Sequence, residues 1–190
     1  MLKIKKLTAV ALAVLMMGAI SLTALAAGTD YGSAAIEEDK AYTLSEMLTY
    51  AIQDEYLAYA EYDEIIKTFG AQRPFVNIIK AEATHIAALE PLFEKYGAEI
   101  PENTAGDLTV VPDTLLDALQ AGVEAEISNI AMYESFLKQD LPDDVRDVFT
   151  SLKDASQKHL SAFENGVSRT EGGNAGGGAN QRIQNKGRIR

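Results

Sequence analysis

Four long runs of helical periodicity, joined by a short, a long and a short connection, limit what this chain can fold into more than any other feature. Apolar residues recurring at i, i+3, i+4 and i+7 mark one face of each run for burial. The first run predicts a helix from about Leu44 to Phe69, capped by Thr43 and stopped by Gly70. Pro74 opens the second, and Gly97 follows its last aromatic residue, Tyr96. Helix ends favour such residues, because a hydroxyl meets free N–H groups, proline suits the first turn and glycine the position past the last. Pro91, inside the second run, should kink it around Ala87 to Leu89. The third run starts near Asp113 and reaches Lys138 or Gln139; Asp140 caps the fourth, Pro142 fits its first turn and Gly166 follows its end. Short connections make neighbours antiparallel, and the stretch Ala98 to Pro112 is long enough to cross over. The expected fold is therefore all-α, an antiparallel four-helix bundle over residues 42–166 with one long crossover connection. Only Leu108 to Val111 reads as strand, so helical hairpins with extended strands are the weaker alternative.

Each of the four stripes is broken near its middle by polar residues. Leu48, Ile52, Tyr59, Ile66 and Phe69 set the first stripe, with Glu55 and Tyr62 on it. Glu82 and His85 fall in the middle of the second, Glu126 and Tyr133 of the third, Ser156 and His159 of the fourth. The interruptions should meet at one level of the bundle. Burying an ionised carboxylate alone costs several kcal/mol, so three of them need compensation. A divalent cation provides it, because carboxylate oxygen and neutral imidazole nitrogen suit iron, manganese or zinc. The alternative is mutual pairing without metal, Glu82 with His85 and Glu126 with His159.

The spacings repeat. Glu55 and Tyr62 stand seven apart, as do Glu126 and Tyr133; Glu82-x-x-His85 is matched by Ser156-x-x-His159. Residues three apart share a helix face, and a tyrosine two turns from a ligand can hydrogen-bond within the site and orient it. Asp54, Glu61, Asp63 and Glu64 flank the first stripe and read as solvated; Glu124 would replace Glu126 only if the third helix were rotated.

The two ends read differently from the middle. Lys3, Lys5 and Lys6 precede an apolar run, Leu7 to Leu25, that closes on Ala24-Leu25-Ala26, the pattern of a signal peptide over residues 1–27. Export across a membrane, to the cell envelope or the medium, is the expectation. Residues 28–41 then form a flexible segment, and the Gly-rich basic stretch 167–190 a disordered tail. Without the three signal lysines, 14 basic residues of the 17 face 28 acidic ones, a net charge of −14. Nucleic acid is thus not an expected partner, since phosphate contacts need a basic face. The absence of cysteine removes disulfides, thiolate metal sites and iron–sulfur clusters.

Over Tyr42 to Asn165 the chain resembles a ferritin-like family catalogued only as domain of unknown function 2202. The segments that carry the likeness are Asp54-Glu55-Tyr56-Leu57-Ala58, Glu82-Ala-Thr-His85, the Glu126 region and Ser156-Gln-Lys-His159-Leu-Ser-Ala-Phe163. This family is similar to rubrerythrin and ferritin. The resemblance implies a di-iron bundle, with Glu55, Glu82 and His85 serving one metal and Glu126 and His159 the other. Where the family pattern has a second bridging glutamate, this chain has Ser156, so the second position loses a charge and a bridge. Metal binding or sequestration is the expected function. The alternatives are a di-iron redox enzyme acting on oxygen or peroxide, and a metal-free structural bundle. The enzyme would need an outside electron donor, since no rubredoxin-like cysteine centre is present. The oligomeric state is left open, a homodimer included.

Overall fold

The computed structural model describes residues 30–177, so the signal peptide expected at 1–27 and the tail beyond 177 lie outside the described residues. Four helices make up the bundle: α1, Leu44–Phe69; α2, Phe75–Tyr96; α3, Leu115–Leu137; and α4, Asp143–Gly177. No strand occurs among the described residues, and Leu108 merely closes a short 3-10 turn, Ala105–Asp107.

The ends follow from local chemistry. Thr43 and Glu46 form a reciprocal capping box at the start of α1. Gly97 takes the left-handed conformation that ends α2, with φ at 65°. Thr114 caps α3 by accepting from the Asp117 N–H at 3.1 Å. α2 runs through Pro91 to Tyr96 without a break. α4 starts at Asp143, directly after Pro142, so Asp140 lies ahead of the helix rather than at its cap. The Arg146 guanidinium instead donates to the carbonyls of Leu137 and Gln139, closing the tail of α3.

Helix directions follow from contacts between α1 and α3. Glu55 meets Tyr133 and Tyr62 meets Glu126, so rising numbers on one helix face falling numbers on the other. The α1–α2 and α3–α4 hairpins are antiparallel by their short links, and Lys95 on α2 pairs with Asp144 on α4 at 2.6 Å. α2 and α3 must then run parallel, which obliges the connection between them to travel the length of the bundle. This is the expected single crossover.

The polar layer splits the core in two. One cluster gathers around Leu48, Phe93, Phe136 and Phe149; the other around Tyr62, Phe75, Leu119 and Phe163. Tyr59, expected on the buried stripe, is 40 % exposed.

Two boundaries differ from expectation. Residues 31–36 are not a loose leader: a 3-10 turn, Gly32–Ala35, is fastened to α1 by the Ser33 N–H donating to Asp54 Oδ1 at 2.7 Å. Gly32 sits at φ 58°, and a Cβ there would lie 2.6 Å from Asp54 Oδ1, so glycine alone fits. Tyr31 is buried at the start of this segment, and Tyr42 is buried just ahead of α1. Gly166 is not a stop either. It lies inside α4 and gives room to Leu119, whose Cδ2 would be 2.8 Å from an added Cβ. The helix continues because Val167 still packs on the second cluster and the Thr170 hydroxyl donates back to the Gly166 carbonyl. Gly122 plays the same part on α3, where an added Cβ would come within 2.6 Å of Phe163 Cε1. Gly122→Val should therefore destabilise the bundle by about 1–3 kcal/mol, read as a lower urea midpoint with the slope unchanged.

Candidate metal centre

The four interruptions do meet. α1 contributes Glu55 and Tyr62, α2 Glu82 and His85, α3 Glu126 and Tyr133, α4 Ser156 and His159. Seven of the eight are buried, and the His159 side chain is only 11 % exposed. All five residues expected as metal ligands, and the three expected beside them, thus share one layer. Glu126 rather than Glu124 points inward; Glu124 is exposed.

Ligand-type atoms of Glu55, Glu82 and His85 lie within 4.8 Å of one another, and so do those of Glu82, Glu126 and His159. Glu82 belongs to both groups. Its Oε2 is 2.8 Å from His85 Nδ1, and its Oε1 is 3.2 Å from His159 Nδ1. One carboxylate therefore faces both positions, an oxygen to each, where the resemblance placed it with a single metal. His85 Nδ1 also lies 3.0 Å from Glu55 Oε2. The tyrosines cross over: Tyr133 donates to Glu55 Oε1 at 2.8 Å, and Tyr62 to Glu126 Oε1 at 3.1 Å. Each hairpin thus orients the other's carboxylate.

Burial and crowding set the charges. Burial alone would lower both imidazoles, yet Glu55 and Glu82 raise His85 to about 10, and Glu126 and Glu82 raise His159 to about 9. Burial raises Glu55 to about 8. It also pushes Glu82 upward, but the close imidazoles of His159 and His85 outweigh it and hold that carboxyl down at about 2. Burial raises Glu126 as well, and lifts both tyrosines well above the ordinary phenol range. The two imidazole rings stack with centroids 5.6 Å apart over shared carboxylates. Protons and a divalent ion would compete for the same ligand atoms.

The residues fit such an ion. Three carboxylates and two imidazoles form a donor set suited to first-row divalent metals. His159 Nδ1 is buried without a hydrogen bond, its two carboxylate neighbours close but poorly aligned. Buried polar atoms are almost always partnered, and this one faces a pair of carboxylate oxygens.

Three residues of this layer escaped the sequence reading. Asp54, expected in solvent, is buried, because the 3-10 turn folds over it. Burial raises its carboxyl. Asn129 on α3 donates to Asp54 Oδ2 at 2.6 Å and accepts from the Ser156 hydroxyl at 2.6 Å. Its signal was its place one turn after Glu126. Glu61 is half-buried, and burial raises it to about 7. Asp54, Glu61 and the layer's three carboxylates line a cavity of about 430 Å³ between α1 and α3.

No curated protein matches the chain. A hypothetical protein from Methanococcus jannaschii DSM 2661, known as a crystal structure, is similar at a TM-score of 0.61 and 22 % identity, over 72 % of this chain and 86 % of that one. At that identity the likeness shows the fold alone. Residues 45–175 match the family described as an uncharacterized protein domain, DUF2202, and the chain belongs to that family.

Proposed function

We propose that this is an exported, ferritin-like metal-binding bundle that holds iron, or another divalent metal such as manganese or zinc, and keeps it sequestered. The observation that carries the reading is the doubled ligand group with Glu82 common to both halves and a buried His159 Nδ1 left without a hydrogen bond. His85 is hydrogen-bonded by its carboxylate neighbours, whereas His159 has only poorly aligned ion pairs of 3.2 and 3.4 Å, which favours a metal over a purely structural role. Glu55, Glu82 and His85 would hold one ion, and Glu82, Glu126 and His159 the other. Export rests on the basic start and apolar run of residues 1–27. No described helix is long and apolar enough to cross a membrane.

A second reading has an observation of its own. The cavity between α1 and α3 reaches the ligand carboxylates, so a small molecule has room beside them. A di-iron redox enzyme acting on oxygen or peroxide would use that room. Bound iron would supply one-electron chemistry; Tyr62 and Tyr133 would hold the carboxylates in place, and electrons would come from a separate donor.

The deciding measurement is metal content after anaerobic ferrous loading, followed by absorbance when oxygen is admitted. Bound metal with no oxygen response supports sequestration. Near two irons per chain with a new absorbance on oxygenation supports the enzyme, and no bound metal under any loading condition rejects both.

A further inference from the structure

The two hairpins repeat one another around the polar layer except at a single facing position. Glu55 matches Glu126, Tyr62 matches Tyr133 and His85 matches His159, but Glu82 is matched by Ser156. The carboxylate missing from α4 has a counterpart elsewhere in the layer. Asp54, on α1, is buried, and among the described residues no lysine, arginine or histidine pairs with it. A buried carboxylate without a cation is costly, and hydrogen bonds from Ser33 N–H and Asn129 are only part of the compensation.

The hydrogen bonds linking Asp54 to Ser156 all run one way. The Ser156 hydroxyl donates to Asn129 Oδ1, and Asn129 Nδ2 donates to Asp54 Oδ2. Because Asp54 Oδ2 takes the amide nitrogen of Asn129, the amide oxygen is left to face Ser156. With its proton committed toward Asn129 and the Leu152 carbonyl, Ser156 Oγ accepts from no protein group, and its lone pairs stay available. A chain of hydrogen bonds ending on an anion polarises each member toward it, which makes that oxygen a better donor to a cation. Ser156 lines the same cavity as Glu82 and Glu126, one helical turn from His159.

We propose that Ser156 is the α4 oxygen donor to a divalent cation at the Glu82–Glu126–His159 position, and that Asp54, through Asn129, is the positioning carboxylate that stands in for the missing bridging glutamate. The proposal rests on the metal-binding reading above. Asp54 and Asn129 touch no metal themselves; they set the orientation and polarity of Ser156.

Stepwise Mn²⁺ affinity of the purified protein, measured by isothermal titration, tests this, with the second position identified as the step lost in His159→Ala. Asp54→Asn should weaken that step about 10-fold, as the loss of an outer hydrogen-bond partner of a metal ligand does; Ser156→Ala, which removes the donor itself, should weaken it at least as much, and both should leave the first step alone. Ser156→Glu should restore a tight second step and make it indifferent to Asp54→Asn. A purely structural Asp54 would weaken both steps equally and do so in the Ser156→Glu background too, which would overturn the proposal. So would unchanged affinities in both single variants. Thermal melting of each metal-free variant confirms that the fold is intact. A parent protein that takes up no Mn²⁺, Fe²⁺ or Zn²⁺ overturns the underlying reading as well, whereas intact two-step binding indifferent to Asp54 overturns only this one.

Discussion

Glu82→Ala should abolish loading at both positions, whereas Glu126→Ala should spare the Glu55–Glu82–His85 position. The asymmetry follows from geometry. Glu82 turns one oxygen toward each histidine, so its loss takes a ligand from both groups, while Glu126 serves a single group. The metal-free variant should also be less stable by about 3–5 kcal/mol, the range for removing one partner of a buried ion pair, since Glu82 holds both imidazolium rings. Metal analysis after dialysis against a ferrous or manganous buffer reads the first effect, and urea melts in chelator read the second. Glu82→Gln keeps the volume and guards against simple misfolding. If Glu82→Gln loads as the parent does, Glu82 is not a shared ligand.

Metal-free stability should fall steeply as pH rises from about 6.5 to 8, and metal should restore more of it at the higher pH. His85 and His159 are raised from the ordinary 6.5 to about 10 and about 9, so the stability their protons bring is complete below 6.5 and is lost as pH climbs through those values. Glu55, raised from 4.5 to about 8, loses stability with rising pH over its own window in the same direction. Glu82, lowered to about 2, acts oppositely and only in acid: its contribution is present above 4.5 and disappears as pH drops toward 2. Each proton difference is worth about 1.4 kcal/mol per pH unit, so even one group gives a measurable slope. A divalent ion displaces these protons, and its affinity must therefore rise with pH. Urea melts at pH 6.5 and 8, with chelator and with Zn²⁺, check both halves. A flat metal-free profile would mean that the histidines are neutral before metal arrives.

That the five residues expected as ligands would meet in one layer was legible because helical periodicity makes a misplaced polar residue conspicuous. Glu82 and His85 are three apart on one face, and no apolar stripe tolerates them without a reason. The same logic failed for Asp54. It follows one residue before Glu55 and so points about 100° away on the helix, toward what would be solvent in a plain bundle. Its burial depends on the Gly32–Ala35 turn, a segment too short and irregular to leave any periodic trace. Gly166 misled for a different reason. Glycine beyond a helix end and glycine beneath a neighbouring helix look alike in sequence, and only Leu119 against it reveals which applies. That Glu82 is shared could not be read either, since sharing is a relation between two helices set by their separation.

The crossed tyrosine bonds also decide how the chain avoids folding slightly wrong. An apolar stripe is forgiving: α1 could slide along α3 by one turn, about 5.4 Å, and still bury leucines against leucines. Tyr62 on Glu126 and Tyr133 on Glu55 are not forgiving, because a slip of one turn breaks both bonds at once and strands four polar groups in the interior. The pair works as a vernier, accepting one alignment of the hairpins and penalising its nearest competitors.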